Sequence, residues 1–307
     1  LVDSNVTARK ALKGILARGN HRFFAAGTAR EAWAFIQRNV KVDLVFVELK
    51  LDVLQSGLRF PEAPRWHEGA LWFSDFYTHS VKRATMDGRV ETVVKVPGQP
   101  SGLGWLPDGR LLVVSMTDRR LMRLDPEGLT EVADLSKLAT FHCNDMVVDA
   151  LGRAYIGNFG FDNAARHELV PARLIMVTPE GSVRVVAEDL HFPNGSVITP
   201  DGRTLVVAET YGARLTAFTI ESDGGLSNRR VWAELPGTSP DGICLDAEGA
   251  IWVASPTSRE VVRVREGGEV TQRTPTSGQA IACMLGGPDR KTLFVLMSKL
   301  KFNAEQS

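Results

Sequence analysis

The stretch Phe192-Pro-Asn-Gly-Ser-Val-Ile-Thr-Pro-Asp-Gly-Arg-Thr-Leu-Val-Val-Ala-Glu209 reads as an apolar strand, a tight Pro-Asp-Gly-Arg turn and a second apolar strand. Asp-Gly between two such runs is a strong short-range hairpin signal, because glycine accepts the backbone angle the turn demands. The chain repeats this unit. The turn glycines Gly69, Gly109, Gly152, Gly202 and Gly249 are each followed by a strand-like run, and Arg290 takes the sixth place, before Lys-Thr-Leu-Phe-Val. The intervals are 40, 43, 50, 47 and 41 residues. A period of this length with two strand signals per unit predicts the blades of a β-propeller, six of them.

Seven or eight positions before each turn stand Glu62, Ser101, Asn144, Asn194, Asp241 and, in the last unit, Ala282. The first strand of a propeller blade lines the central channel, so equivalent positions form a ring about one axis. Two carboxylates and two amides from distant parts of the chain are thereby expected to converge. Asn194 and Asp241 each precede glycine, so a turn role accounts for either one alone. Glu62, between Pro61 and Pro64, has no such explanation, and a carboxylate facing a channel needs a partner.

The 307 residues are 44% hydrophobic and 23% charged, an ordinary globular composition. Lys plus Arg equals Asp plus Glu at 36 each, so no global field recruits nucleic acid or an anionic membrane. The apolar runs are strand-sized, far short of the roughly 20 residues of a membrane helix. Cys143, Cys244 and Cys283 show no paired spacing and are expected to be reduced thiols. With no secretory signal in view, a cytoplasmic protein acting on a small molecule is expected, its oligomeric state open. Asn194-Gly195-Ser196 matches a glycosylation sequon, but a buried strand is the simpler reading.

Residues 1–51 stand outside the repeat. They alternate strand and helix signals in a βαβαβ order, with a Thr28-Ala-Arg-Glu31 capping box opening the second helix and an apolar third strand from Asp43 to Leu49. Val2-Asp3, Arg9, Leu12, Gly19, Ala25-Ala26, Glu31-Ala32 and Asp43-Leu44-Val45 resemble the first half of a response-regulator receiver domain. Glu48 holds the place of that family's phosphoacceptor aspartate, the acidic pair is reduced to Asp3-Ser4, and the later strands are missing. A non-signalling remnant is expected, ahead of a propeller over 52–307.

Leu58-Arg-Phe-Pro-Glu-Ala-Pro-Arg-Trp66, His142-Cys-Asn-Asp145, Phe192-Pro-Asn-Gly195 and Ser239-Pro-Asp-Gly242 together resemble the gluconolactonase/regucalcin (senescence marker protein) family of six-bladed propellers, over residues 52–299. The resemblance implies a divalent-cation-dependent hydrolase of a lactone or similar small cyclic ester. It implies metal binding by Glu62, Asn194 and Asp241, with Asn144 as a further ligand or substrate contact, and a proton-transfer role for Asp241. Oxygen donors suit Ca²⁺ first, with Mg²⁺, Mn²⁺ or Zn²⁺ able to take its place. Ser101 reads as a channel-lining hydroxyl touching substrate. In sugar-lactone members a basic residue stands two positions before the equivalent of Asn144. Here it is His142, without the permanent charge and fork of arginine. A calcium-dependent phosphotriesterase and a metal-stapled, non-catalytic binding propeller are the alternatives. Two departures concern the ends of the repeat. Few residues follow Lys299, so the sixth blade is expected to be short, completed by 53–56 or by the strand at 43–49. The irregular stretch 158–171 is expected to form a loop at one face of the channel.

Overall fold

The computed structural model describes residues 53–162 and 168–298. The chain divides into two units, Leu1–Val53 and Leu54–Ser307. The receiver-like βαβαβ segment, Glu48 and the strand expected at 43–49 lie outside the described residues.

The hairpins fold as the repeat predicts. Gly69, Gly109, Gly152, Gly202 and Gly249 all take positive φ, between 70 and 86°. Arg290, in glycine's place, is held at φ 60°. Five four-stranded antiparallel sheets follow one another, over 61–95, 100–134, 143–190, 193–234 and 243–275, each ordered as in the sequence. A sixth sheet has only two strands, Gln279–Gly286 and Thr292–Ser298. The expectation of six blades is therefore corrected to five blades and a two-stranded sheet. Residues 53–56 do not repair it, because they form no strand. Leu54 and Leu58 instead pack their side chains between this sheet and blade 1.

Each blade has two apolar faces and must bury both, which it does against its neighbours. Blades 1 and 2 meet over Val81, Leu103 and Val113, and blades 2 and 3 over Leu112, Met146 and Ile156. Tyr155, Leu174 and Phe218 fill the next interface, followed by Val206, Trp232 and Val253. Cys244, Ala254 and Cys283 join blade 5 to the two-stranded sheet. Leu71, Phe73, Phe294 and Leu296 join that sheet to blade 1. Six interfaces for six sheets means that the order closes on itself, and the first strands form an inner ring. All three cysteines are free and buried, with Cys244 and Cys283 Sγ atoms 4.0 Å apart. No helix among the described residues is long and apolar enough to cross a membrane.

One contact of the closing interface is especially tight. Trp66 stacks on Phe294, ring centroids 5.5 Å apart, and lies so close over Gly286 that a Cβ there would fall 2.5 Å from the indole. Gly286→Ala is expected to cost about 1–3 kcal/mol through overpacking, read as a lower denaturant midpoint. An unchanged midpoint would mean that this contact does not hold the ring shut.

Candidate active site

Pro61, Pro100, Pro193 and Pro240 immediately precede Glu62, Ser101, Asn194 and Asp241. Proline needs no ladder hydrogen bond at a strand's beginning, and it fixes the chain's direction there. At the ring residues the ladders then break register. Shifts fall between Glu62 and Arg65, Pro100 and Leu103, Pro193 and Ser196, Ala280 and Ala282, and opposite Cys143 and Met146. A bulge re-aims a side chain. It lets these residues turn into the channel while the strand beyond resumes its pleat.

The glycines after three ring residues serve close packing. A Cβ on Gly195 would lie 2.7 Å from the Asp241 carbonyl oxygen. One on Gly242 would meet Ala282, and one on Gly102 would meet the Met146 nitrogen. Gly195 N–H donates to the Asp241 carbonyl at 3.2 Å, and Gly242 N–H to Ile281 at 2.9 Å. The reading of Asn194 and Asp241 as turn residues before glycine is thus set aside. Glycine lets neighbouring inner strands come near enough for the ring side chains to meet.

Glu62, Ser101, Asn144, Asn194 and Asp241 are all buried, at most 9% exposed. The amide of Asn144 donates to the Pro193 carbonyl at 3.2 Å. That of Asn194 donates to Thr210 Oγ1 at 3.2 Å, and the Thr210 hydroxyl donates in turn to the Pro240 carbonyl at 2.7 Å. With their NH₂ groups so engaged, both amides keep their oxygens for other partners. Asn194 Oδ1 and Asp241 Oδ1 have none, although both are buried. A buried acceptor left this way loses its hydration without compensation.

Burial raises the Glu62 carboxyl well above the usual range, and the negative charges of Asp241 and Asp145 raise it further. Asp241 is raised by burial and then by Asp145; the Asn194 amide and the Glu62 carboxyl beside it pull the other way. Asp145 itself faces Arg65, whose Nη2 lies 2.8 Å from its Oδ1. The same guanidinium bonds the Met146 carbonyl, tying blade 1 to blade 3 across the intervening blade. Among the described residues no three carboxylate, imidazole or thiol groups gather at one point. The ring offers two carboxylates with amide oxygens beside them.

The other expected residues fall as follows. Ser101 is buried, and its carbonyl accepts from the Ser74 hydroxyl at 2.6 Å. His142 is half-buried and stacks on Phe141 at 4.1 Å, and burial lowers its pKa, favouring the neutral ring. Cys143 lies in the core between blades 2 and 3, its thiol pushed up to about 12, so it is no thiolate donor. Thr210 carries no motif and Arg65 draws no role from its own, and only the assembled ring shows what they do. Ala282 contributes no polar atom.

Residues 60–299 match the family described as SMP-30/Gluconolactonase/LRE-like region. The pentonolactonase of Haloferax volcanii is 28% identical, over 79% of this chain and 83% of its own. Among solved structures, a gluconolactonase from Xanthomonas campestris is 26% identical, with a TM-score of 0.68 over 80% of this chain and 86% of that one. A regucalcin from Agrobacterium tumefaciens, described as a calcium-binding protein, is 25% identical, with a TM-score of 0.69 over 79% and 84%. With its propeller matched from the first blade to the last strand, the chain belongs to the SMP-30/gluconolactonase/LRE-like family.

Proposed function

We propose that the protein hydrolyses a lactone or similar small cyclic ester at a divalent cation held by Glu62, Asn194, Asp241 and Asn144. The observation that carries this reading is the pair of unpartnered, buried oxygens on Asn194 and Asp241, beside a second buried carboxyl. Two buried, raised carboxyls with amide groups beside them fit a hard cation. The pentonolactonase and the gluconolactonase among its relatives, and the calcium-binding regucalcin, support the same assignment.

When bound, the cation would polarise the ester carbonyl and offset charge developing on its oxygen. The chain does the rest. Asp241 takes the proton of the attacking water on a carboxylate oxygen, as a general base must lie within hydrogen-bond reach of it. Asn144, anchored through Pro193, orients the substrate from the next blade. Asp145 stays with Arg65 and acts on the ring through its field, not as a ligand. Ca²⁺ is the first choice.

Asp241→Asn is expected to lower kcat on lactones by about 10²–10⁴-fold, the usual worth of a general base. Turnover at the wild-type rate in that variant would sink the mechanism. A panel of lactones and organophosphates, run with and without EDTA, separates this activity from phosphotriester hydrolysis and from a ring that merely binds.

The raised carboxyls also set a pH dependence. A carboxyl raised in the folded state binds its proton more tightly there than when unfolded. Its stabilisation is full below the unfolded pKa and is lost as pH climbs through the folded value. In EDTA, the melting temperature should therefore fall as the pH rises above the ordinary carboxylate range, and fall less in Glu62→Gln. Ca²⁺ should restore most at the alkaline end, where the ligands are ionised. Parallel pH slopes for wild type and variant would contradict the charge assignment.

A further inference from the structure

The apolar cluster of Phe60, Phe76, Met116, Phe159, Phe161, Phe192 and Ile281 belongs to none of the six interfaces between sheets. Its members come from blades 1, 2, 3 and 4 and from the two-stranded sheet, so they meet over the channel. Their level follows from backbone bonds. Phe76 N–H donates to the Phe60 carbonyl, Met116 to Gln99, Phe159 to His142 and Thr210 to Phe192, at 2.8 to 3.1 Å. In each pair the acceptor stands two residues before a ring residue, and the donor just beyond the second strand. These bonds set an aromatic layer at the strand-entry end of the ring, on the side away from the Asp-Gly hairpins.

The layer is continuous across blades 3 and 4. Phe159 stacks on Phe192 at 4.7 Å, Tyr211 meets Phe192 edge-on at 5.1 Å, and His142 stands edge-on to Phe159 at 6.0 Å. Phe141, His142 and Tyr77 are half-buried and Tyr211 is 47% exposed, so these form its outer rim. Phe192 holds its ring there at φ 62°, a left-handed conformation that a bulky side chain adopts only when its surroundings enforce it.

We propose that this layer selects the substrate, and that the substrate is a lactone or cyclic ester bearing an apolar alkyl or aryl substituent rather than a polyhydroxylated sugar acid. The inference rests on the hydrolytic reading of the ring and specifies it. Hydroxyls set against phenylalanine rings lose water without gaining partners. An alkyl or aryl group gains by the same contact, face or edge. His142 agrees, since its ring stacks on Phe141 and meets Phe159 edge-on, joining the aromatic layer.

Calorimetry on the full-length, Ca²⁺-loaded chain tests this with two non-hydrolysable probes, a butyl-substituted δ-lactam and a polyhydroxylated δ-lactam. The butyl compound is expected to bind on the order of tenfold or more tightly, as several buried methylenes allow. Phe141→Ala and Tyr211→Ala should shrink that ratio, and Tyr211→Phe should keep it, with melting curves confirming that each folds. Equal affinities, tighter binding of the polyhydroxylated probe, binding of neither, or a ratio untouched by both alanine variants would overturn the proposal. Turnover of the matching lactones is read separately. The butyl preference without any hydrolysis would refute the enzymatic reading and leave the apolar selectivity standing, whereas faster hydrolysis of the sugar lactone would do the reverse.

Discussion

Glu62 and Asp241 come from distant parts of the chain, yet both are buried; Asp241 and Asp145 raise the first carboxyl, and Asp145 raises the second. Like charges so placed favour a shared proton or a cation. Much of the inner architecture exists to bring them together. Proline starts the strands, bulges turn the side chains inward, and glycines let the strands pass closely enough. The cost of burying these acids is returned only when the ring is charged with a counter-ion or protonated, so stability and function meet at one point.

The ring depends equally on its closure. Five interfaces are sequential in the chain, but the sixth joins blade 1 to the two-stranded sheet, through Leu71, Phe73, Trp66, Phe294 and Leu296. That sheet has half the strands of a blade and still carries a full inner strand, Gln279–Gly286. An inner strand is what the ring needs, since channel-facing positions come from inner strands alone. Ala282 at its ring position carries no side-chain oxygen, so this sheet adds an apolar contact to the closing interface.

Much of this was legible in the sequence because it is local. An Asp-Gly turn demands positive φ, and every turn glycine has it; Arg290 adopts it too, against its own preference. The ring residues were legible because a fixed offset from the turn survives unequal repeat lengths. The bulges were not, since a register break depends on how two strands pair. Nor was the pairing of Arg65 with Asp145, whose residues lie 80 positions apart in separate blades. The blade count failed for a related reason: a hairpin reports two strands and says nothing about the third and fourth. Glycine after Asn194 and Asp241 left a turn role open, because close approach and turn formation ask for the same residue.

The Arg65 guanidinium, joined to Asp145 and to the Met146 carbonyl, runs as a chord from blade 1 to blade 3. A ring with a chord has unequal arcs. Blades 1 to 3 cannot spread apart without breaking a largely buried ion pair. Asn194 and Asp241 belong to the other arc, which has no such strut among the described residues. A group held between Glu62 and Asp241 would tie the arc without a chord to the arc that has one, like a clasp on a bracelet.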